Sequence, residues 1–102
     1  MNNHVIDVAL GNAPADMVIK NGQLINVNTH EIYKTDIAIA DGVIAALGSL
    51  GEKTIGADTQ VIDAEGKYLA PGFIDAHIHF ESSMLSYTEF SRMLVKHGTT
   101  AV

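Results

Sequence analysis

The chain contains no cysteine, which excludes a disulfide framework and any thiolate nucleophile or metal ligand. Basic residues are scarce. Six Lys and Arg stand against twelve Asp and Glu, for a formal net charge of −6, and that balance argues against a nucleic-acid backbone or an anionic membrane as partner. No apolar run approaches the roughly 20 residues that span a bilayer; the longest are interrupted at Asp41-Gly42 and at Gly48. No secretory leader pattern opens the sequence, so a cytoplasmic location is the expectation. Internal repeats and low-complexity tracts are also missing. What remains is a globular composition, 47% hydrophobic and 18% charged over 102 residues. That is enough for one ordinary domain at most, with a modest core.

Residues 3–10 read as a short helix. Asn3 is positioned to cap it, Val5, Val8 and Ala9 share one face, and Gly11-Asn12 can end it in the left-handed conformation. His4 at its start reads as solvated. Three hairpins are then expected: residues 17–20 and 23–27 around Asn21-Gly22, 36–40 and 43–47 around Asp41-Gly42, and 59–64 and 67–70 around Glu65-Gly66. Asn-Gly and Asp-Gly are strong signals because both central residues of a type I′ turn need positive φ. Together the three predict a small antiparallel sheet or sandwich with one face left uncovered. Residues 28–31 and 48–58 read as loops, with His30 exposed. Gly48, Gly51 and Gly56 lack the strand–glycine–helix context and the lysine of a phosphate cradle.

The stretch that organises the chain is Pro71-Gly72-Phe73-Ile74-Asp75-Ala76-His77-Ile78-His79-Phe80-Glu81-Ser82-Ser83-Met84. After the Pro-Gly turn signal, residues 73–80 read as a buried strand. Side chains alternate faces along a strand, so Asp75, His77 and His79 share one face, with the histidine Cα atoms roughly 6.5–7 Å apart. Two imidazoles at that spacing can converge on one metal ion. On a solvated strand the same spacing can mean nothing, but two histidines buried without partners are costly, and a metal would satisfy them. Glu81 has the same parity and follows in a loop expected over residues 81–85. It is a candidate to orient substrate, to support a histidine or to touch the metal, or it is a solvated acid. Asp75 is a candidate to hold the histidines in place, or a buried, hydrogen-bonded acid. Ser82 and Ser83 have no histidine–acid partners in view, so a serine nucleophile is not expected.

A second helix follows. Ser86 and Glu89 have capping-box spacing. Phe90, Met93, Leu94 and His97 form an apolar stripe, Arg92 and Lys96 lie late on the outer side, and Gly98 ends the helix. Phe90 and Met93 read as core and His97 as a packing residue. Thr99-Thr100-Ala101-Val102 is β-prone. Strand, helix and strand start make one βα unit feeding a parallel strand, whose edges and faces need partners. The expectation is therefore a chain that is part of something longer, or that is covered by a second copy.

Pro-Gly-Phe-Ile-Asp-Ala-His-Ile-His resembles the first-strand signature of the amidohydrolase superfamily, metal-dependent hydrolases of C–N and related bonds. The continuation Phe80-Glu81-Ser82-Ser83-Met84, Glu89-Phe90 and His97-Gly98-Thr99-Thr100 resembles its adenine deaminase family in particular. That resemblance implies a mixed α/β fold. Residues 1–15 would be a lead-in, residues 16–70 part of a small β-sandwich, and residues 71–102 the first strand and helix of a TIM-like (β/α)8 barrel. It implies a binuclear divalent centre of manganese or iron, with zinc also compatible. His77 and His79 would be ligands, Glu81 a catalytic residue acting on substrate or behind a ligand, and Asp75 a supporting group. The substrate would be adenine, hydrolysed to hypoxanthine and ammonia in purine salvage. The remaining ligands would lie outside this segment, which alone is expected to be inactive.

Two other readings compete. One keeps the superfamily and changes the substrate to that of a dihydroorotase, hydantoinase or imidazolonepropionase; Glu81-Ser82-Ser83-Met84 speaks against it. The other is a β-rich binding module whose histidines do nothing, for which the unfinished βα unit is the obstacle.

Overall fold

The computed structural model describes residues 3–102. The chain divides into two compact units, one running to Ala70 and the other spanning Pro71–Val102.

The first unit opens with helix α1 (Asn3–Ala9). Its end is a Schellman arrangement. The Gly11 N–H donates to the Val8 carbonyl (3.0 Å) and the Asn12 N–H to the Asp7 carbonyl (2.8 Å), with Gly11 at φ +76°. Five strands follow: β1 (Met17–Asn26), β2 (Glu31–Ala40), β3 (Val43–Gly48), β4 (Gln60–Asp63) and β5 (Tyr68–Leu69). They form one sheet in the order β3-β2-β1-β4, with β5 also on β1. The β3-β2-β1 part is antiparallel, but β4 and β5 both run parallel to β1. The sheet is therefore mixed rather than antiparallel throughout.

Only one of the three expected hairpins forms where the glycine dipeptides stand. Asp41-Gly42 closes β2 onto β3, with φ +51° and +77° and Ala40 opposite Val43. At Asn21-Gly22, β1 runs straight through, and the register against β2 shifts between Ile19 and Gly22. Asn21 takes the left-handed conformation (φ +59°) as a bulge residue. Its backbone N–H donates to Asp36 Oδ1 (3.0 Å) and its side-chain amide to Asp63 Oδ1 (3.2 Å). Gly22 is needed for a different reason: a Cβ there would collide with the Leu69 side chain. The β1–β2 connection is instead made at residues 27–30, where Asn26 Oδ1 accepts from the Asn28 and Thr29 N–H groups and His30 sits at φ +60°.

Glu65-Gly66 also takes positive φ (+53° and +79°), yet its flanks do not pair with each other. They line up on β1 as β4 and β5, and the Gly66 N–H donates to the Asn21 carbonyl (2.9 Å). The bulge in β1 and the break between β4 and β5 are one matched irregularity. The Glu65 N–H, and after it the Asn21 amide, hold the Asp63 carboxyl below its ordinary range.

One face of the sheet carries the core: Val8, Ala15, Val18, Ala38 and Ala40, with Val5, Ala13, Ala45, Ala46 and Leu50 around them. On the other face the register places Leu47, Ile37, Ile19 and Ile62 in one row across four strands. Leu47 and Ile62, at its ends, are 46% and 40% exposed.

The second unit holds two short strands, β6 (Phe73–Ile74) and β7 (Thr99–Ala101), paired in parallel around helix α2 (Tyr87–Lys96). A single 3-10 turn spans Phe80–Ser83; it takes Phe80 from the expected strand and covers the first part of the loop expected over residues 81–85. Gly72 admits the Thr100 side chain, which a Cβ would block. Ser86 caps α2 by accepting from the Glu89 N–H (3.3 Å). The Glu89 carboxylate turns to Arg92 (2.8 Å) instead of reaching back, so the capping box is half made. Of the apolar stripe only Phe90 is buried; Met93 and His97 are exposed.

Candidate metal centre

The strand that was expected to deliver the histidines ends at Ile74. Among the described residues its pairing partner is the three-residue β7, and Phe73 and Ile74 are exposed, not buried. Beyond it the backbone leaves the ladder, so alternation no longer places His77 and His79; local hydrogen bonds do. Asp75 Oδ1 accepts the His77 backbone N–H (3.1 Å), an Asx turn that bends the chain just after the strand. Asp75 thus supports the histidine segment through its backbone. Its own N–H is tied to the Ala101 carbonyl (2.9 Å).

The two rings nonetheless meet. His77 Nε2 and His79 Nε2 lie 3.0 Å apart, with ring centroids at 5.0 Å and planes inclined by 61°. His79 Nδ1 lies 3.0 Å from Glu81 Oε1. The Glu81 backbone N–H, and after it the His79 ring, hold the Glu81 carboxyl below its ordinary value. An ionised carboxylate can only accept, so the proton on this side belongs to His79 Nδ1, and a His79 ring with no second proton presents a bare lone pair at Nε2. That lone pair faces His77 Nε2. The two nitrogens can share a proton, or both can donate to one cation. At a metal–nitrogen distance of about 2.1 Å, a 3.0 Å separation suits two donors in adjacent positions of one coordination shell. A carboxylate–histidine pair with the far nitrogen free is also the usual way an imidazole ligand is oriented.

Glu81 reaches His79 because the 3-10 turn folds back directly after it. The Ser82 N–H donates to the His79 carbonyl (3.2 Å), Ser83 Oγ to the Phe80 carbonyl (2.7 Å) and the Leu85 N–H to Ser83 Oγ (3.2 Å). Ser83 Oγ is engaged within this turn as both donor and acceptor. Met84 follows in the left-handed conformation (φ +59°) with its side chain 94% exposed.

A second ligand-type cluster, in the first unit, was not visible in the sequence. His4, Asp16 and Asp41 bring donor atoms within 4.8 Å of one another. His4 Nε2 faces the Pro14 carbonyl (3.1 Å), its Nδ1 faces Asp41 Oδ2 (3.2 Å), and the Asp41 N–H donates to Asp16 Oδ2 (2.8 Å). The group is a knot joining α1 to the β2–β3 turn. No local pattern could have revealed it, since His4 and Asp41 are 37 positions apart.

Comparison with known proteins places these residues in context. Residues 60–102 match the family model "Amidohydrolase family". An adenine deaminase of Mesorhizobium japonicum is 50% identical over 103 aligned positions, covering all of this chain and 17% of that protein. An adenine deaminase of Clostridium botulinum is 55% identical over 96 positions, 93% of this chain and 16% of its own length. The chain thus spans about a sixth of the length of these curated relatives. Among solved structures, an N-acyl-D-glutamate deacylase of Bordetella bronchiseptica, complexed with zinc and a phosphonate inhibitor, superposes with a TM-score of 0.66 at 31% identity, over 85% of this chain and 18% of that one. A D-hydantoinase of a Thermus species gives 0.50 at 44% identity, over 62% and 13%. Over nearly its whole length the chain is similar to a part, about a sixth, of adenine deaminases, with structural neighbours among amidohydrolases.

Proposed function

We propose that this chain is the N-terminal part of a metal-dependent adenine deaminase, which converts adenine and water to hypoxanthine and ammonia. The observation that carries the reading is the convergence of His77 Nε2 and His79 Nε2 at 3.0 Å, with Glu81 on the far nitrogen of His79, in a chain about half identical to adenine deaminases. In this reading residues 1–15 are a lead-in, 16–70 part of a β-sandwich, and 71–102 the first strand and helix of a (β/α)8 barrel. The end of β6 is then where such barrels place their chemistry.

His77 and His79 would hold one divalent ion of a binuclear pair. Manganese or iron is the proposed metal, and zinc, which the deacylase binds, suits the same donors. When bound, the metal supplies a water of lowered pKa. This chain supplies the rest of its corner of the site. Glu81 keeps the Nδ1 proton on His79 and so fixes which nitrogen ligates. Asp75 fixes the bend that brings His77 up to His79. Adenine is the proposed substrate, and the cytoplasm the proposed location. Two ligands are fewer than the three or four of protein metal sites, so the other ligands come from the rest of the enzyme. The isolated 102-residue chain is expected to release no ammonia from adenine.

The D-hydantoinase likeness favours a second reading, a cyclic amidohydrolase acting on a ring amide. One experiment separates the two. The full-length enzyme carrying this segment is given adenine, hydantoin or dihydroorotate, as wild type and as His77→Asn and His79→Asn. Ammonia release from adenine alone, lost in both variants together with part of the bound metal, supports the proposal. Ring opening of a cyclic amide without adenine turnover supports the second reading. Full adenine turnover by both variants rules out the metal role.

A further inference from the structure

Phe80 stands between the proposed ligand His79 and Glu81, whose carboxylate faces the far nitrogen of that ring. Its ring is held by α2. It stacks on Tyr87 at a centroid distance of 4.2 Å with planes 10° apart, and meets Phe90 edge-on at 5.2 Å and 81°. Tyr87 and Phe90 are one helical turn apart on α2, so they form a two-walled seat on one face. Phe90 is the buried residue of this unit and Tyr87 is 77% exposed. Ring pairs in these two geometries attract beyond their buried area and fix relative orientation. The other described contacts of the 79–83 turn run within the turn, to Leu85, or from the His79 ring to His77. Among the described ring contacts, the Phe80 seat is what fastens the turn to a regular element.

From this juxtaposition we propose that Tyr87 and Phe90 are positioning residues for the metal centre. Through Phe80 they hold the 3-10 turn at the angle that sets Glu81 on His79 Nδ1. The inference rests on the reading of His79 as a ligand. The ring stack, not the Tyr87 hydroxyl, does the work, and the truncation of an exposed ring leaves no cavity in the unit.

The test is a double-mutant cycle on zinc affinity, measured by competition with a chromophoric chelator on the full-length enzyme stripped of metal. The variants are Tyr87→Ala, Tyr87→Phe, Glu81→Gln and the Tyr87→Ala/Glu81→Gln pair, with His79→Asn as reference. Partners behind a ligand typically change affinity 10- to 100-fold. Tyr87→Ala is therefore expected to weaken zinc binding about tenfold, Tyr87→Phe to stay within about twofold of wild type, and Tyr87→Ala to add less than about twofold once Glu81 is Gln. A general structural role would weaken binding equally in both backgrounds, and that result overturns the proposal. So does unchanged affinity in Tyr87→Ala. If His79→Asn itself leaves zinc affinity unchanged, the metal reading fails and the positioning role falls with it.

Discussion

The two units of this chain divide labour in opposite ways. The first has a five-stranded sheet, a capped helix against one face, and almost all of the buried residues. Its polar side chains are used on structure: Asn21, Asp36 and Asp63 at the matched irregularity, and His4, Asp16 and Asp41 at the helix knot. The second has two short strands, one helix and a single buried apolar side chain, Phe90. Its polar groups converge on each other at His77, His79 and Glu81. A segment that supports itself spends its hydrogen-bonding groups on its own backbone. The second segment instead turns its donor atoms toward one another and is shaped by local turns and ring contacts.

The strongest way to break the contrast is Val18→Asp. Val18 is fully buried in the first unit, and an unpaired buried carboxylate is costly enough to cost about 4 kcal/mol or more. Hydrogen exchange should show protection lost throughout β1 and β2. Persistent protection there would mean that the core lies elsewhere. Gly22→Ala comes next. Its new methyl collides with Leu69, and overpacking of this kind costs about 1–3 kcal/mol. Adding Leu69→Ala should return part of that loss, as read by denaturant titration; additive losses would contradict the close approach of β5 to β1.

In the second unit Met84→Gly should act the other way. Met84 holds a left-handed conformation while its side chain is 94% exposed, so glycine removes a cost of about 1 kcal/mol. It should raise, or at least not lower, the thermal midpoint, whereas a fall would show that the Met84 side chain packs on something.

The smallest expected effect is His4→Gln. The Pro14 carbonyl, and after it Asp41, raise the His4 pKa above its ordinary 6.5. The folded state therefore prefers the protonated ring. The stability this contributes is complete below about pH 6.5 and is lost as pH rises through the raised folded value. The difference in thermal midpoint between wild type and His4→Gln should shrink over that upward window, and a difference independent of pH would contradict the knot.

Legibility in the sequence followed the range of the forces involved. α1 and its glycine stop, the Asp41-Gly42 hairpin, the Ser86 cap and α2 rest on residues within four positions of one another, and each was readable. Asn21-Gly22 and Glu65-Gly66 were readable as positive-φ sites but not as hairpins. Positive φ is a local demand, whereas whether the flanking strands pair with each other or with a third strand is decided across the sheet. The histidines illustrate the same limit at the site. Their convergence was expected from strand alternation, yet the strand stops at Ile74, and an Asx turn and a 3-10 turn bring the rings together instead. The Glu81 contact with His79 was one of several roles open to that residue. The knot at His4 left no trace, because its partners meet only after folding.

We propose above all that His77 and His79 share one metal ion. Anomalous scattering at the metal's absorption edge, from crystals of the full-length enzyme carrying this segment, tests it directly. The account predicts an anomalous peak within about 2.0–2.3 Å of both Nε2 atoms, with Glu81 still on Nδ1 of His79. A fully loaded, active enzyme whose anomalous peaks all lie away from these two nitrogens would contradict it.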